Sequence, residues 1–383
     1  MISVDNEPLN LASFDNDFTK DHYRTLLKIA RKNYILVNYR NIPRGERFIL
    51  WRHDCDFSIN RAYTLAKIEY EEGISSTYFI NVHSEFYNIH EKNQYELIRG
   101  IIQLGHDIGL HLDAGFYNDG IKDEVSLAEK VRLEASQLER LFGIRPAAFS
   151  FHNPTPFLLR FEEEEYGGLI NCYSRRFKSE VGYCSDSNGY WRFRRLYDVL
   201  SEARDHCLQV LTHPEWWQDI PMPPRQRVFR CVYGRARATL RSYDAALKAT
   251  NRANHAGLVE HLWFMMDIDP SLFELYDYLW NSGHLETLFL ELFRLHEQQI
   301  KKLHEIYQED KDNNTCLEDN YLSLLKSVSN NEFDTEKYQY WRNVRDHLIG
   351  GVISLSDFHL ESGCMFLCAI IKAVEEWKRA KKM

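Results

Sequence analysis

The feature that most constrains this chain is a rhythm between Phe48 and His213. Short apolar runs rich in β-branched and aromatic residues alternate with segments of helical period, and the runs hand over to polar residues. "FILWRHD", "STYFINV", "HDIGLHLD", "AAFSFH" and "LQVLTH" read as strands. "INRAYTLAKIEYEEG" reads as a helix with Ile59, Ala62, Tyr63, Ala66 and Tyr70 inward and Gly73 as its stop. "NQYELIRGIIQLG" is a second, with Tyr95, Ile98, Ile101 and Ile102 inward. "LAEKVRLEASQLERLFG" is a third, with Leu127, Val131, Ala135, Leu138 and Leu141 on one face. Strand–helix alternation of this kind implies βα units and parallel pairing, an α/β fold. Such folds gather functional groups at the carboxyl ends of their strands. The polar residues that follow the apolar runs are Asp54 and Asp56, then His111 and Asp113, then His152, then His213. Parallel pairing would bring these four distant segments to one rim.

Before this stretch, residues Asp21 to Arg31 read as a helix through Leu26, Leu27 and Ala30. Near Arg235 the pattern changes to helices alone: "TLRSYDAALKATNRA", "AGLVEHLWFMM", "SLFELYDYLW", "LETLFLELFRLHEQQIKKLHEIYQ" and "GCMFLCAIIKAVEEWKRAKK". "EDKDNN" reads as an exposed break. Two domains are therefore expected, an α/β domain over 1–235 and a helical region over 236–383.

The two aspartates of "RHDCDFS" lie on one strand face with Leu50 and Arg52 if the strand runs that far. Carboxylates this close repel unless a cation relieves them. A divalent metal does so: one carboxylate binds the ion and the other takes a proton from a metal-bound water. A turn, or an N-cap for a helix starting near Ser58, accounts for the same residues. In "HDIGLHLDAG", Ile108, Leu110 and Leu112 face one way, and Gly109, His111 and Asp113 the other. An imidazole and a carboxylate on one face can share a metal, or simply hydrogen-bond to each other. His152 and His213 each end an apolar run, and a histidine there can serve as a general acid. Trp216 and Trp217 offer flat walls for a sugar ring, or packing between domains.

Bulk properties narrow the partners. The net charge of −9 and the lack of a basic stripe argue against nucleic acid. The eight cysteines form no CxxC pair and no dense disulfide framework. The first residues lack the basic and apolar regions of a secretory signal. "CMFLCAIIKAV" is far shorter than the roughly 20 residues that span a bilayer. A soluble, cytoplasmic protein is expected.

In order, "FILWRHDCDFS", "EEGISSTYFI", "LGHDIGLHLDAGFY", "FSFHNPTP" and "LTHPEWW" resemble the polysaccharide deacetylase superfamily (NodB homology, carbohydrate esterase family 4). They are closest to its HDVD-type branch, which is linked to surface-polysaccharide and O-antigen biosynthesis. The resemblance covers about residues 20–220. It implies a distorted (β/α) barrel of the NodB-homology type with an added, mainly α-helical C-terminal region. It also implies a divalent metal, expected to be zinc, and hydrolysis of an N-acyl group, expected to be acetyl, on a nucleotide- or lipid-linked sugar. By the resemblance Asp54 is the base, and Asp56 and His111 are metal ligands. Gly115 stands where the family has its second ligand histidine, and Asp113 is the candidate replacement. His152 would orient Asp54, and His213 would be the general acid. Asp186 and Trp191, in "YCSDSNGYWRF", would join Trp216 and Trp217 in binding substrate. Two further readings stay open: a deformylase or other amide hydrolase on the same scaffold, and a catalytically silent binding or scaffold protein. The C-terminal helices could pair two copies of the chain.

Overall fold

The computed structural model describes residues 16–191, 193–253, 270–308, 335–349 and 357–381. The chain divides into two compact units, Met1–Ser242 and Tyr243–Met383.

In the first unit the alternation becomes α1 (Lys20–Asn33), β1 (Ile35–Val37), β2 (Phe48–Cys55), α2 (Ile59–Glu71), β3 (Thr77–Ile80), α3 (Lys92–Gln103), β4 (Asp107–Leu112), α4 (Glu124–Phe142) and β5 (Ala148–Phe151). There follow β6 (Glu165–Tyr166), β7 (Leu169–Asn171), α5 (Arg175–Glu180), β8 (Gly182–Ser185), α6 (Leu196–Glu202), β9 (Cys207–Thr212) and α7 (Pro224–Ala249). The helix starts are set locally. Thr19 accepts from the His22 N–H at α1, and Ser58 from the Arg61 N–H at α2. Asp123 and Ser126 close a capping box at α4, which ends on Gly143 at φ 74°.

The strands form one sheet in the order β6-β7-β5-β4-β3-β2-β9-β8, with β1 added on β2. Among the described residues only the β6–β7 pair is antiparallel. The strand parity is clean. Ile49, Trp51, Leu208 and Val210 pack outward with α1 and α6. Tyr78, Ile108, Leu110, Phe149 and Phe151 pack outward with α2, α3 and α4. Phe48, Leu50, Phe79, Ala148 and Cys172, from three different strands and the turn after β7, meet on the inner side. The sheet therefore curls into a half-barrel with a packed interior. Gly109 makes room for that interior: a Cβ there would lie 2.5 Å from the Phe79 ring.

Helix α2 departs from the sequence expectation. Tyr70 is exposed, and Leu65, Ile68 and Glu69 are buried in its place. The cause is packing on two sides, because Ala62 and Ala66 join the cluster under α3 while Leu65 and Ile68 join the one under α1. Behind β2, Glu69 anchors a buried polar network. Its Oε2 accepts from the Tyr78 hydroxyl at 2.7 Å, its Oε1 lies 2.6 Å from His53 Nε2, and Tyr23 donates to it as well. His53 Nδ1 reaches Thr212 Oγ1 on β9 at 2.8 Å.

In the second unit the helices Pro270–Asn281, Leu285–Gln308, Thr335–Ile349 and Asp357–Lys381 share a core of Tyr276, Leu288, Phe289, Leu292, Trp341, Cys364 and Leu367. Helix Thr335–Ile349 is absent from the sequence reading. The stretches "AGLVEHLWFMM" and "EDKDNN" lie outside the described residues. The boundary expected near residue 235 falls inside α7, which is continuous over Pro224–Ala249. No helix among the described residues is long and apolar enough to cross a membrane.

Candidate active site

Because β2, β3, β4, β5, β8 and β9 all run parallel, their carboxyl ends share one rim. The next residues along the chain are Asp56, Asn81, Asp113, His152, Asp186 and His213. His111 is the penultimate residue of β4 and points to the inner side, as its parity requires.

Three of these residues converge. One donor atom each from Asp56, His111 and His152 lies within 4.8 Å of the others. Asp56 Oδ1 is 3.0 Å from His111 Nε2 and 3.3 Å from His152 Nδ1, and the two ring nitrogens are 3.2 Å apart. A tetrahedral zinc ion with ligand bonds of ~2.0–2.1 Å needs donor–donor separations of about 3.3 Å, which is what these three contacts approach. Asp56 Oδ1 is moreover a buried oxygen with no hydrogen-bond partner despite its two close neighbours. Such a group is costly unless something else, here a cation, meets it. The donor set of one carboxylate and two imidazoles therefore fits a divalent metal. Burial pushes the Asp56 carboxyl up, but the imidazoles of His111, His152 and His213 outweigh it and hold the group well below the usual carboxylate range.

Across Asp56 stands His213, its Nε2 3.7 Å from Asp56 Oδ2. Its Nδ1 lies 2.6 Å from Asp186 Oδ1, and its backbone N–H donates to Asp186 Oδ2 at 3.0 Å. Burial lowers the His213 pKa, but Asp186 and Asp56 reverse the effect and carry it to about 10. His213 is thus an imidazolium at neutral pH. Burial raises Asp186 itself, and the facing imidazolium opposes that rise. His152 is likewise raised: burial works against its charge, and the adjacent Asp56 overrides it.

The rim surrounds a cavity of about 800 Å³, bordered by Asp56, Asp113, His152 and His213. Phe57, Phe86, Phe157 and Trp216 give it apolar walls, and Asn81, Asn118, Asn153 and Asn188 supply neutral hydrogen-bonding groups. Among the described residues no lysine or arginine borders it.

Several residues singled out in the sequence sit apart from the donor triangle or the cavity. Asp54, expected as the base, is 2 % exposed and does not border the cavity. Its carboxylate is held by Arg52 at 3.2 Å and by Ser150 at 3.4 Å, behind His111. Asp113, the expected replacement ligand, borders the cavity but is not one of the three converging donors. Its Oδ1 accepts from the Gly115 N–H at 2.9 Å, capping the turn that follows β4. His152, expected to orient Asp54, instead faces Asp56 and His111. Trp217 is fully buried and Trp191 is 4 % exposed; both pack with Phe18 in the core beside α1, out of reach of a sugar. Asp186 is also fully buried and turns both oxygens to His213. Of the four residues expected to bind substrate, Trp216 alone borders the cavity, its ring 6.3 Å from His213.

Ser150 was missed by the sequence reading. It was legible in principle, since it sits two residues before His152 on the same strand parity and pairs directly with His111 across β4 and β5.

No protein-family model and no curated protein matches the sequence. Comparison with solved structures finds distant likenesses. A family 4 carbohydrate esterase from Bacillus anthracis is 16% identical over 49% of this chain and 75% of the other, with a TM-score of 0.28. A family 4 acetyl xylan esterase from Clostridium thermocellum, in complex with a cobalt ion, is 13% identical over 54% and 92%, with a TM-score of 0.31. The chitin deacetylase of the fungal pathogen Colletotrichum lindemuthianum is 15% identical over 49% and 81%, with a TM-score of 0.28. Likenesses this distant do not by themselves assign an activity or a substrate to the chain.

Proposed function

We propose that the chain is a divalent-metal-dependent hydrolase that removes an N-acyl group, expected to be acetyl, from a sugar. The observation that carries this reading is the Asp56–His111–His152 donor triangle, with its ligand-like separations, set at the mouth of a cavity opposite the His213–Asp186 pair.

Asp56, His111 and His152 would hold the ion, which when bound supplies a Lewis acid for the amide carbonyl and lowers the pKa of the attacking water. The other roles belong to the chain. His213, kept protonated by Asp186, donates its Nε2 proton to the departing amine nitrogen. The proton of the attacking water goes to a carboxylate with access to the cavity; Asp56, Glu85 and Asp113 meet that condition and Asp54 does not. Trp216 and the phenylalanines exclude water and offer flat faces to a sugar ring, while the asparagines match its hydroxyl and amide groups. With carboxylates in the lining and no lysine or arginine among the described residues that border it, the cavity favours a neutral acyl sugar over one carrying phosphate inside it. A nucleotide or lipid carrier would then lie outside it. Zinc as the ion, and a place in surface-polysaccharide or O-antigen biosynthesis, rest on the sequence resemblance. The silent-scaffold reading drew on the missing histidine at Gly115, and His152 supplies a third donor.

The test is acyl release from N-acetyl- and N-formyl-hexosamine oligosaccharides by the zinc-loaded protein. Activity should fall at least 100-fold in His213→Ala, the lower end of what a general acid contributes. Equal rates for the two proteins would refute the assignment.

A further inference from the structure

Directly beneath the donor triangle lies a second polar chain with no part in the chemistry above. We infer that Arg52, Asp54 and Ser150 form a relay that fixes His111 as the Nδ1–H tautomer and so presents its Nε2 lone pair to the metal position. The purpose of the relay rests on the proposed metal site; its existence does not.

The argument starts at the closed end of the half-barrel. Arg52 sits on the inner face of β2 and is fully buried, its guanidinium 5.4 Å from the ring centres of both Phe79 and Tyr173. A guanidinium can only donate, and Arg52 Nη2 donates to Asp54 Oδ2 at 3.2 Å. Ser150 Oγ in turn donates to the other carboxylate oxygen, Asp54 Oδ1, at 3.4 Å. A serine has one hydroxyl hydrogen. With that hydrogen turned to Asp54, Ser150 offers its neighbours lone pairs alone. The next neighbour is His111 Nδ1, 2.7 Å away, which must therefore carry the proton. A neutral imidazole protonated on Nδ1 has its lone pair on Nε2. Nε2 is the atom that faces Asp56 and His152.

The sheet itself sets the positions of the relay: Ser150 pairs with His111 across β4 and β5, and Arg52 and Asp54 share the inner parity of β2. Carboxylates that hold metal-ligating histidines in this way orient the ring and raise its basicity. Arg52, Asp54 and Ser150 are accordingly positioning residues, which accounts for Asp54 being kept away from the cavity.

The relay is tested on the metal-free, full-length protein with nitrogen-15-labelled histidine. Two-bond correlations read the tautomer of neutral His111 directly. The wild-type spectrum should show Nδ1–H with a bare Nε2. In Ser150→Ala and Asp54→Asn the population should move toward Nε2–H, while Ser150→Thr, which keeps the hydroxyl, should retain the wild-type pattern. Titration with zinc ion against a chromophoric chelator should show affinity about 10- to 100-fold weaker in Ser150→Ala and near wild type in Ser150→Thr. An Nε2–H tautomer in the wild type, or a tautomer unmoved by both disruptive variants, overturns the relay. The wild-type spectrum decides this even where a variant fails to fold. A wild type that shows Nδ1–H yet binds no zinc supports the relay and refutes the metal reading, so the two are separable.

Discussion

Replacing Asp186 with asparagine should discharge His213. In the wild type the Asp186 carboxylate, 2.6 Å from Nδ1, is the main influence lifting the imidazole to about 10 against its burial. At pH 8 a histidine with that pKa is about 99% protonated, whereas one at the ordinary value near 6.5 is about 3% protonated. Asp186→Asn keeps the shape of the side chain and removes the charge, so the fraction of His213 able to donate a proton at pH 8 should fall by up to about 30-fold. The sign is fixed: the imidazolium is the species below the pKa, so proton donation is lost as pH rises, and the variant loses it at lower pH. Histidine nitrogen-15 shifts of the metal-free protein between about pH 5 and pH 10.5 provide the assay. The alkaline limb of the kcat/KM profile checks the same group in turnover, where it should move from near pH 10 toward neutrality. A wild-type His213 that titrates near 6.5, or a midpoint that Asp186→Asn leaves in place, would refute the reasoning.

Other residues give sharper tests of the fold. Glu69 is fully buried and meets Tyr23, Tyr78 and His53, so Glu69→Ala strands three polar groups and should cost about 3–5 kcal/mol in urea unfolding. A loss below about 1 kcal/mol would show that the network contributes little. Gly109→Ala places a Cβ 2.5 Å from the Phe79 ring and should destabilise by about 1–3 kcal/mol, with Phe79→Leu relieving part of the loss. Asp113→Asn should reduce kcat with little change in zinc affinity, because the carboxylate borders the cavity outside the donor triangle. Zinc lost in proportion to activity would instead make it a ligand.

The parts of the fold that were legible in the sequence are those where one period dominates. The strand ends Asp56, His111, His152 and His213 could be placed because each follows an apolar run and parallel strands share a rim. Helix α4 was legible because its single buried face repeats Leu127, Val131, Ala135 and Leu138. Helix α2 was read less well because it packs on two sides, so its buried arc takes in Leu65, Ile68 and Glu69. Helix Thr335–Ile349 escaped because its buried apolar residues, Tyr338, Trp341, Val344 and Leu348, are widely spaced in an otherwise mostly polar sequence, with Tyr340 and Ile349 exposed.

At the site, sequence identified the residue types but not their depth. The difference between Asp54 and Asp56 is a matter of one pleat and of a buried Arg52, which spacing does not reveal. Trp216 and Trp217 are neighbours in sequence and both join the core beside α1, yet Trp216 alone of the two also borders the cavity, a difference that spacing does not reveal. The partnership of Asp186 with His213 depends on β8 lying beside β9, a pairing that only the sheet order discloses.

The central claim is that Asp56, His111 and His152 hold one divalent ion. Its most direct test is zinc stoichiometry, measured by elemental analysis after dialysis, in the wild type and in Asp56→Ala, His111→Ala, His152→Ala and Asp113→Ala, each checked for folding by circular dichroism. The account predicts one zinc per chain in the wild type and in Asp113→Ala, and substoichiometric metal in the other three. Full occupancy in His152→Ala, or no metal in the wild type, would contradict it.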